Sequence, residues 1–345
     1  MSIHNILLIQ LKHLGDLLLS TPVIDALAEA YPSAKITVLC NGGMEAMVAG
    51  HPRVQEVITL PSKLRDIRGL GRVRSEWNLL KKLRRRRFDL AVNLSRGDRG
   101  GWLSVLCGAK IRLGYRVASQ ERAYKNWFYN RPVEQPTEQI HEVEKNLRVL
   151  TGLGLKVAPR PLSFSVPFED LEWAEHQLGA AGKRRIAHVH PTSRWMFKGW
   201  ETSKWSELIA GLKRDGFFVV LTCGPHANEI EHCRPILRAA GPDQFFLGGI
   251  SLKRLGALLH RAHVFVGVDS APMHMAAALR TPSVALFGPT GAANWRPWQV
   301  DSVVLQKYCE CMEARGQRCD WTKGVVRRCL AEISVAEVRA AVDGL

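Results

Sequence analysis

Short apolar runs alternate with amphipathic stretches along the whole chain. In the first half Ile6–Leu11, Lys35–Leu39, Glu56–Leu60, Leu90–Asn93 and Ile111–Gly114 are brief runs bounded by turn residues, and they predict strands. Helical periodicity fills several of the gaps, first over Leu17–Ala30. The stretch Lys156–Pro167 carries Pro159, Pro161 and Pro167 and breaks the periodicity, which predicts a linker. The theme then repeats, with strands expected at Ile186–His190, Phe217–Thr222, Phe245–Leu247, Val264–Gly267, Ser283–Phe287 and Val303–Leu305. Trp205, Leu208, Ile209 and Leu212 form one helical stripe after Thr202, with Gly216 just beyond its end, and Leu252, Leu255, Leu258 and Leu259 mark another helix. Ser334 and Glu337 are spaced as a capping box before Val338 and Val342.

Alternation of this kind predicts an α/β protein whose parallel sheets are flanked by helices. A chain of 345 residues has room for two such domains. The expected division is 1–160, 161–330 and a C-terminal helix in 331–345, with packing back on the N-terminal domain as one option for that helix. Ligands of open α/β sheets sit at the carboxyl ends of the strands, so a cleft between the two domains is the expected site.

Composition excludes several classes. With 46% hydrophobic and 23% charged residues and no low-complexity tract, the chain is neither disordered, collagenous nor a small disulfide scaffold. No apolar run is long enough for a membrane-spanning helix. Met1–Gln10 enters an apolar run with no basic region or cleavage site, so the expected compartment is the cytoplasm.

Charge changes the picture. Lys and Arg number 48 against 32 Asp and Glu, a net +16 that favours anionic partners. The excess is concentrated: residues 63–87 hold eleven Lys/Arg against Asp66 and Glu76. Of the eight cysteines, Cys40, Cys107, Cys223 and Cys233 are scattered and are read as buried small residues. Cys309, Cys311, Cys319 and Cys329 crowd the tail with only one tight C-x-C pair, where zinc knuckles pair at C-x2-4-C. Thiols or an occasional disulfide are therefore favoured over a metal there, and no metal site is expected.

The loops after the strands carry the candidate chemistry. After the first strand comes Leu11-Lys12-His13-Leu14-Gly15-Asp16, which is neither a G-x-G-x-x-G fingerprint nor a P-loop. Gly15 suits a tight turn, and Asp16 is either a helix cap or a general base facing the cleft. The loop Pro191–Trp200 brings Thr192, Ser193, Arg194 and Lys198 together, two hydroxyls and two cations that suit a diphosphate. Asp269-Ser270-Ala271-Pro272-Met273-His274 ends a strand and opens an alanine-rich helix, whose free N–H groups form a phosphate seat. Glu229 follows another strand and turn, where it serves either a ribose or only the helix start.

Together, L-K-H-L-G-D with Thr21-Pro22, P-T-S-R-W-M-F-K-G-W and D-S-A-P-M-H-M-A-A-A resemble glycosyltransferase family 9, the ADP-heptose:lipopolysaccharide heptosyltransferases. The resemblance covers nearly the whole chain. It implies a GT-B fold of two Rossmann-like domains, with the acceptor on the first and the sugar nucleotide on the second. It also implies inverting, metal-independent transfer of L-glycero-D-manno-heptose from ADP-heptose to the lipopolysaccharide inner core, onto an existing heptose, with no cofactor. By motif position, Asp16 would deprotonate the acceptor. Thr192, Ser193, Arg194, Lys198, Glu229, Asp269, Ser270, Ala271 and His274 would hold the donor. The family often has Thr-Gly or Ser-Gly where this chain has Ser270-Ala271.

Lys12, His13, Lys63, Arg65, Arg68 and Arg72 are the candidates for holding the acceptor, heptosylated Kdo–lipid A. The basic run as a whole would attract the anionic inner-membrane surface, at about 1 kcal/mol per basic residue near the lipid, and place the enzyme peripherally on its cytoplasmic face. A family 9 transferase for another core position or another sugar nucleotide is the alternative. A non-catalytic scaffold is disfavoured by Asp16 and Lys198 occurring together. A nucleic-acid-binding protein is a remote alternative, because no reading module is present and the basic residues are taken not to be interleaved with exposed aromatics.

Overall fold

The computed structural model describes residues 2–61, 70–95, 97–117, 120–156, 158–308 and 328–345. The chain divides into two compact units, Met1–Ser165 and Val166–Leu345, parting within the expected linker.

In the first unit β1 (Asn5–Gln10), β2 (Lys35–Asn41), β3 (Val54–Leu60), β4 (Leu90–Asn93), β5 (Ile111–Tyr115) and β6 (Arg131–Val133) form one sheet, ordered β3-β2-β1-β4-β5-β6. All its pairings are parallel; Leu8 of β1 lies between Val38 and Val92. The second unit repeats the plan with β7 (Ile186–His190), β8 (Phe218–Cys223), β9 (Gln244–Leu247), β10 (Val264–Val268), β11 (Ser283–Phe287) and β12 (Ser302–Gln306). Their order, β12-β11-β10-β7-β8-β9, is the same 3-2-1-4-5-6 order within the unit. Both central strands are buried on both faces, which explains their unbroken apolar runs: Ile6–Ile9 in β1 and Val264–Val268 in β10. In each sheet the strand order reverses beside the first strand, between β1 and β4 and between β7 and β10. Those two points mark where loops diverge and leave a crevice.

Two expectations are corrected. The single helix over Leu17–Ala30 is two, Leu14–Leu18 and Thr21–Ala30. Pro22 lacks the N–H that would continue the first helix, while the Ser20 and Thr21 hydroxyls donate to the carbonyls of Leu17 and Leu18 at 2.6 and 2.9 Å. Gly15 makes no left-handed turn; it lies in the first turn of the Leu14–Leu18 helix. The C-terminal helix Val335–Asp343 belongs to the second unit. Ile333, Val338 and Val342 join Trp200, Trp205, Leu208 and Leu212 in the core of the second unit. That helix starts with the expected capping box, in which the Ser334 hydroxyl accepts from the Glu337 N–H at 3.2 Å and the Ser334 N–H donates to Glu337 at 2.8 Å.

Candidate active site

In the first unit the β1 loop gathers a small polar group. Asp16 is buried, and the Lys12 ammonium lies 3.3 Å from its Oδ1. The same ammonium lies 3.3 Å from Oε1 of Glu142, also buried, at the start of the helix Glu142–Arg148. Lys12 is thus shared by two carboxylates. His13, not Asp16, occupies the N-cap position of Leu14–Leu18, which removes the capping explanation for the carboxylate. Oδ1 of Asp16 receives no hydrogen bond despite its burial. Gln10 and Ser95, at the ends of β1 and β4, complete the floor. The Ser95 hydroxyl accepts from the Leu11 N–H at 2.7 Å, and the Gln10 side-chain oxygen accepts from the Lys12 N–H at 3.4 Å.

The second unit builds its group on the loop after β7, which reaches both neighbouring strands. On the β8 side the Thr192 hydroxyl donates to Glu229 Oε2 at 2.8 Å, and both residues are buried. Gly224 makes room for that carboxylate, since a Cβ there would lie 2.5 Å from Oε1 and 2.6 Å from Oε2. On the β10 side the Lys198 ammonium sits 2.6 Å from Asp269 Oδ2. That oxygen also accepts from the Thr290 hydroxyl at 2.7 Å. Ser270 is the N-cap of the helix Ala271–Ala278, and its hydroxyl donates back to the Val268 carbonyl at 3.1 Å instead of capping. The N-cap side chain thus makes no capping hydrogen bond to the helix amides, which suits an anionic oxygen there. Pro272 lies at its first turn, and His274 is buried with its ring 6.4 Å from that of Trp295.

Two other members of the loop make contacts within it. Ser193 folds the loop itself, its hydroxyl donating to the Trp195 carbonyl at 2.8 Å and accepting from the Trp195 N–H at 3.1 Å. Arg194 is exposed, its guanidinium 5.9 Å over the Trp195 ring. Of the expected acceptor-binding residues, Lys63, Arg65 and Arg68 lie outside the described residues. Arg72 falls in the basic helix Leu70–Arg85, and Lys12 and His13 stand at Asp16. Cys309, Cys311 and Cys319 also lie outside the described residues; Cys329 is buried in the second core, and Cys40, Cys107, Cys223 and Cys233 are buried thiols.

Sequence reasoning missed Glu142, Gln10 and Thr290, together with a buried triad under the β7 loop. His188 Nε2 and His190 Nδ1 each lie 2.8 Å from the Thr222 hydroxyl. Burial pushes both imidazoles down to about 3, so both are neutral and share the hydroxyl as donor and acceptor. The H-V-H spacing at the end of a buried strand was the signal for it. The expectation that basic residues are not interleaved with exposed aromatics is also corrected, because Trp77 stands exposed in the basic helix.

Two Rossmann-ordered units, one presenting a buried carboxylate and the other a lysine, hydroxyls and a helix start with no capping side-chain hydrogen bond, define a GT-B glycosyltransferase. The sequence profile of Glycosyltransferase family 9 (heptosyltransferase) matches residues 76–323, and the chain belongs to that family. It is 32% identical over 336 residues, 96% of either chain, to Lipopolysaccharide heptosyltransferase 3 of Escherichia coli. The solved glycosyl transferase family 9 structure from Veillonella parvula shares the fold, with a TM-score of 0.86 at 20% identity over 100% of this chain and 97% of that one. E. coli ADP-heptose lps heptosyltransferase II does so with a TM-score of 0.80 at 21% identity, over 99% and 98%.

Proposed function

We propose that this heptosyltransferase moves L-glycero-D-manno-heptose from ADP-heptose onto a heptose of the lipopolysaccharide inner core, with inversion and without a metal ion or other cofactor. The observation that carries the reading is the loop after β7, fixed on one side to Glu229 through Thr192 and on the other to Asp269 through Lys198. It is supported by the names of the relatives, a heptosyltransferase 3 and an ADP-heptose lps heptosyltransferase II.

The Asp16 carboxylate takes the proton of the acceptor hydroxyl. The freed oxygen attacks the anomeric carbon as the bond to the diphosphate oxygen breaks, and ADP leaves with the electron pair. Lys198 and the helix start at Ser270–Ala271 stabilise the charge that develops on the diphosphate. Glu229 accepts from the ribose hydroxyls. Attack from the face opposite the leaving group through an oxocarbenium-like state gives inversion. Lys12 and His13 hold anionic groups of the acceptor beside Asp16, with Lys63, Arg65, Arg68 and Arg72. The first domain, 1–160, takes the acceptor and the second the sugar nucleotide.

No described helix is long and apolar enough to cross a membrane. A peripheral position on the cytoplasmic face of the inner membrane fits the basic helix and a lipid-borne acceptor. A donor panel of ADP-heptose, ADP-glucose and UDP-sugars with heptosylated Kdo–lipid A tests the assignment. Transfer from ADP-heptose alone, with the anomeric configuration inverted in the product NMR spectrum, is expected. Preference for another sugar nucleotide, or retention, would overturn it.

A further inference from the structure

The first unit carries exposed aromatic rings that neither loop constellation uses. Trp102, on the helix Asp98–Leu106, is 47% exposed, while Tyr124 and Trp127, on the 3₁₀ segment Gln120–Phe128, are 54% and 65% exposed. They are held in place. The centroids of Trp102 and Trp127 are 6.1 Å apart, and both rings lean on the buried Phe128, at 5.1 and 6.4 Å. Phe128 in turn fills the notch left by Gly101, where a Cβ would lie 2.1 Å from the ring. The exposed rings therefore stand on a packed support.

Arg99 links this helix to the basic one, donating to Glu76 Oε1 at 2.8 Å. Next to Glu76, Trp77 is 64% exposed and Val73, one turn earlier, 66%. Their stripe continues to the exposed Lys81. Leu79 and Leu83 anchor the opposite face in the core. The helix Leu70–Arg85 carries six Lys/Arg against Glu76, and that carboxylate is already paired. Asp98 is likewise engaged, by the Lys125 ammonium at 2.6 Å and the Tyr124 hydroxyl at 3.1 Å.

We propose that Trp77, Trp102, Tyr124 and Trp127 form a docking platform that seats in the headgroup layer of an anionic bilayer, with the basic helix beside it drawing the surface in. Trp and Tyr favour this layer because one end of the ring is apolar and the other is wet. Attachment that lasts needs two signals, and here apolar rings and a basic patch stand side by side. Single-stranded nucleic acid is the poorer fit. Successive bases stack on ring faces, whereas the planes of Trp102 and Trp127 cross at 59° and those of Trp127 and Phe128 at 64°.

The inference takes its motive from the membrane-borne acceptor of the proposed function. The test uses vesicles without donor or acceptor, so failed docking leaves the transfer reading standing, and failed transfer leaves docking standing. The full-length protein is sedimented with phosphatidylglycerol–phosphatidylethanolamine vesicles and with phosphatidylcholine vesicles across a salt series. Binding to the anionic vesicles is expected, weakened by salt but leaving a salt-resistant part. Trp102→Ser/Trp127→Ser should remove the resistant part and lower partitioning about tenfold or more. Lys81→Glu/Arg85→Glu should lower the salt-dependent part instead. Trp77→Ser, on a separate helix, repeats the test should the double variant melt early. Brominated lipid should quench tryptophan fluorescence in the wild type and less in Trp102→Phe/Trp127→Phe. Unchanged partitioning of both serine variants, absence of binding to anionic vesicles, or loss of poly-uridylate binding with vesicle binding intact would overturn the proposal.

Discussion

The Lys198 ammonium lies 2.6 Å from Asp269 Oδ2, an oxygen that the Thr290 hydroxyl also approaches to 2.7 Å. A flexible four-carbon side chain is thereby fixed to Asp269, next to the N-cap Ser270 of the helix Ala271–Ala278. Preorganised charge of this kind acts on the transition state without reorganisation. Lys198→Ala should lower kcat on the order of 10²- to 10³-fold and weaken ADP binding in calorimetry. Lys198→Arg should recover only part of the loss, because a planar fork does not replace a compact ammonium.

In the proposed mechanism the Asp16 carboxylate, on the first unit, serves a different step. Asp16→Asn should lower kcat about 10²- to 10⁴-fold while ADP affinity stays within about twofold. His13 holds the N-cap position, so the thermal midpoint should barely move. Equal loss of turnover and ADP binding would assign Asp16 a structural role.

Gly224 tests the proposed ribose side by displacing the Glu229 carboxylate without removing it. A methyl group there would stand 2.5 Å from Glu229 Oε1 and force the carboxylate away from Thr192. Gly224→Ala should raise KM for the sugar nucleotide about tenfold and leave kcat near the wild-type value. Steady-state kinetics with the donor varied separates the two.

Acid stability follows from the buried imidazoles. His188 and His190 are pushed down to about 3, whereas in the unfolded chain they take protons near 6.5. Between those values the unfolded state binds more protons, so stability rises with pH across the window and falls on acidification from about 6.5 toward 3. The slope is at most on the order of 1 kcal/mol per pH unit for each imidazole. Urea melts at neutral and acidic pH should show this, and His188→Gln/His190→Asn should flatten it.

Strands buried on both faces were legible because their apolar runs carry the message locally, as in Ile6–Ile9 and Val264–Val268. β6 was not, since Arg131-Pro132-Val133 is three residues long with a proline, a composition tolerated at a sheet edge. The break between Leu14–Leu18 and Thr21–Ala30 was masked by apolar residues that continue through it. At the site, residue types on strand-end loops were legible and partners were not. Lys198 and Asp269 are 71 positions apart, and Lys12 and Glu142 are 130 apart, joined only by sheet topology. Arg194, in the same loop, is exposed, a placement its residue type alone did not give.

ADP release from ADP-heptose, measured with and without heptosylated Kdo–lipid A in the presence of EDTA, tests the central claim most directly. The account predicts acceptor-dependent release that survives EDTA and disappears in Asp16→Asn. Release that needs a divalent ion, or none with this acceptor while ADP still binds, would contradict it.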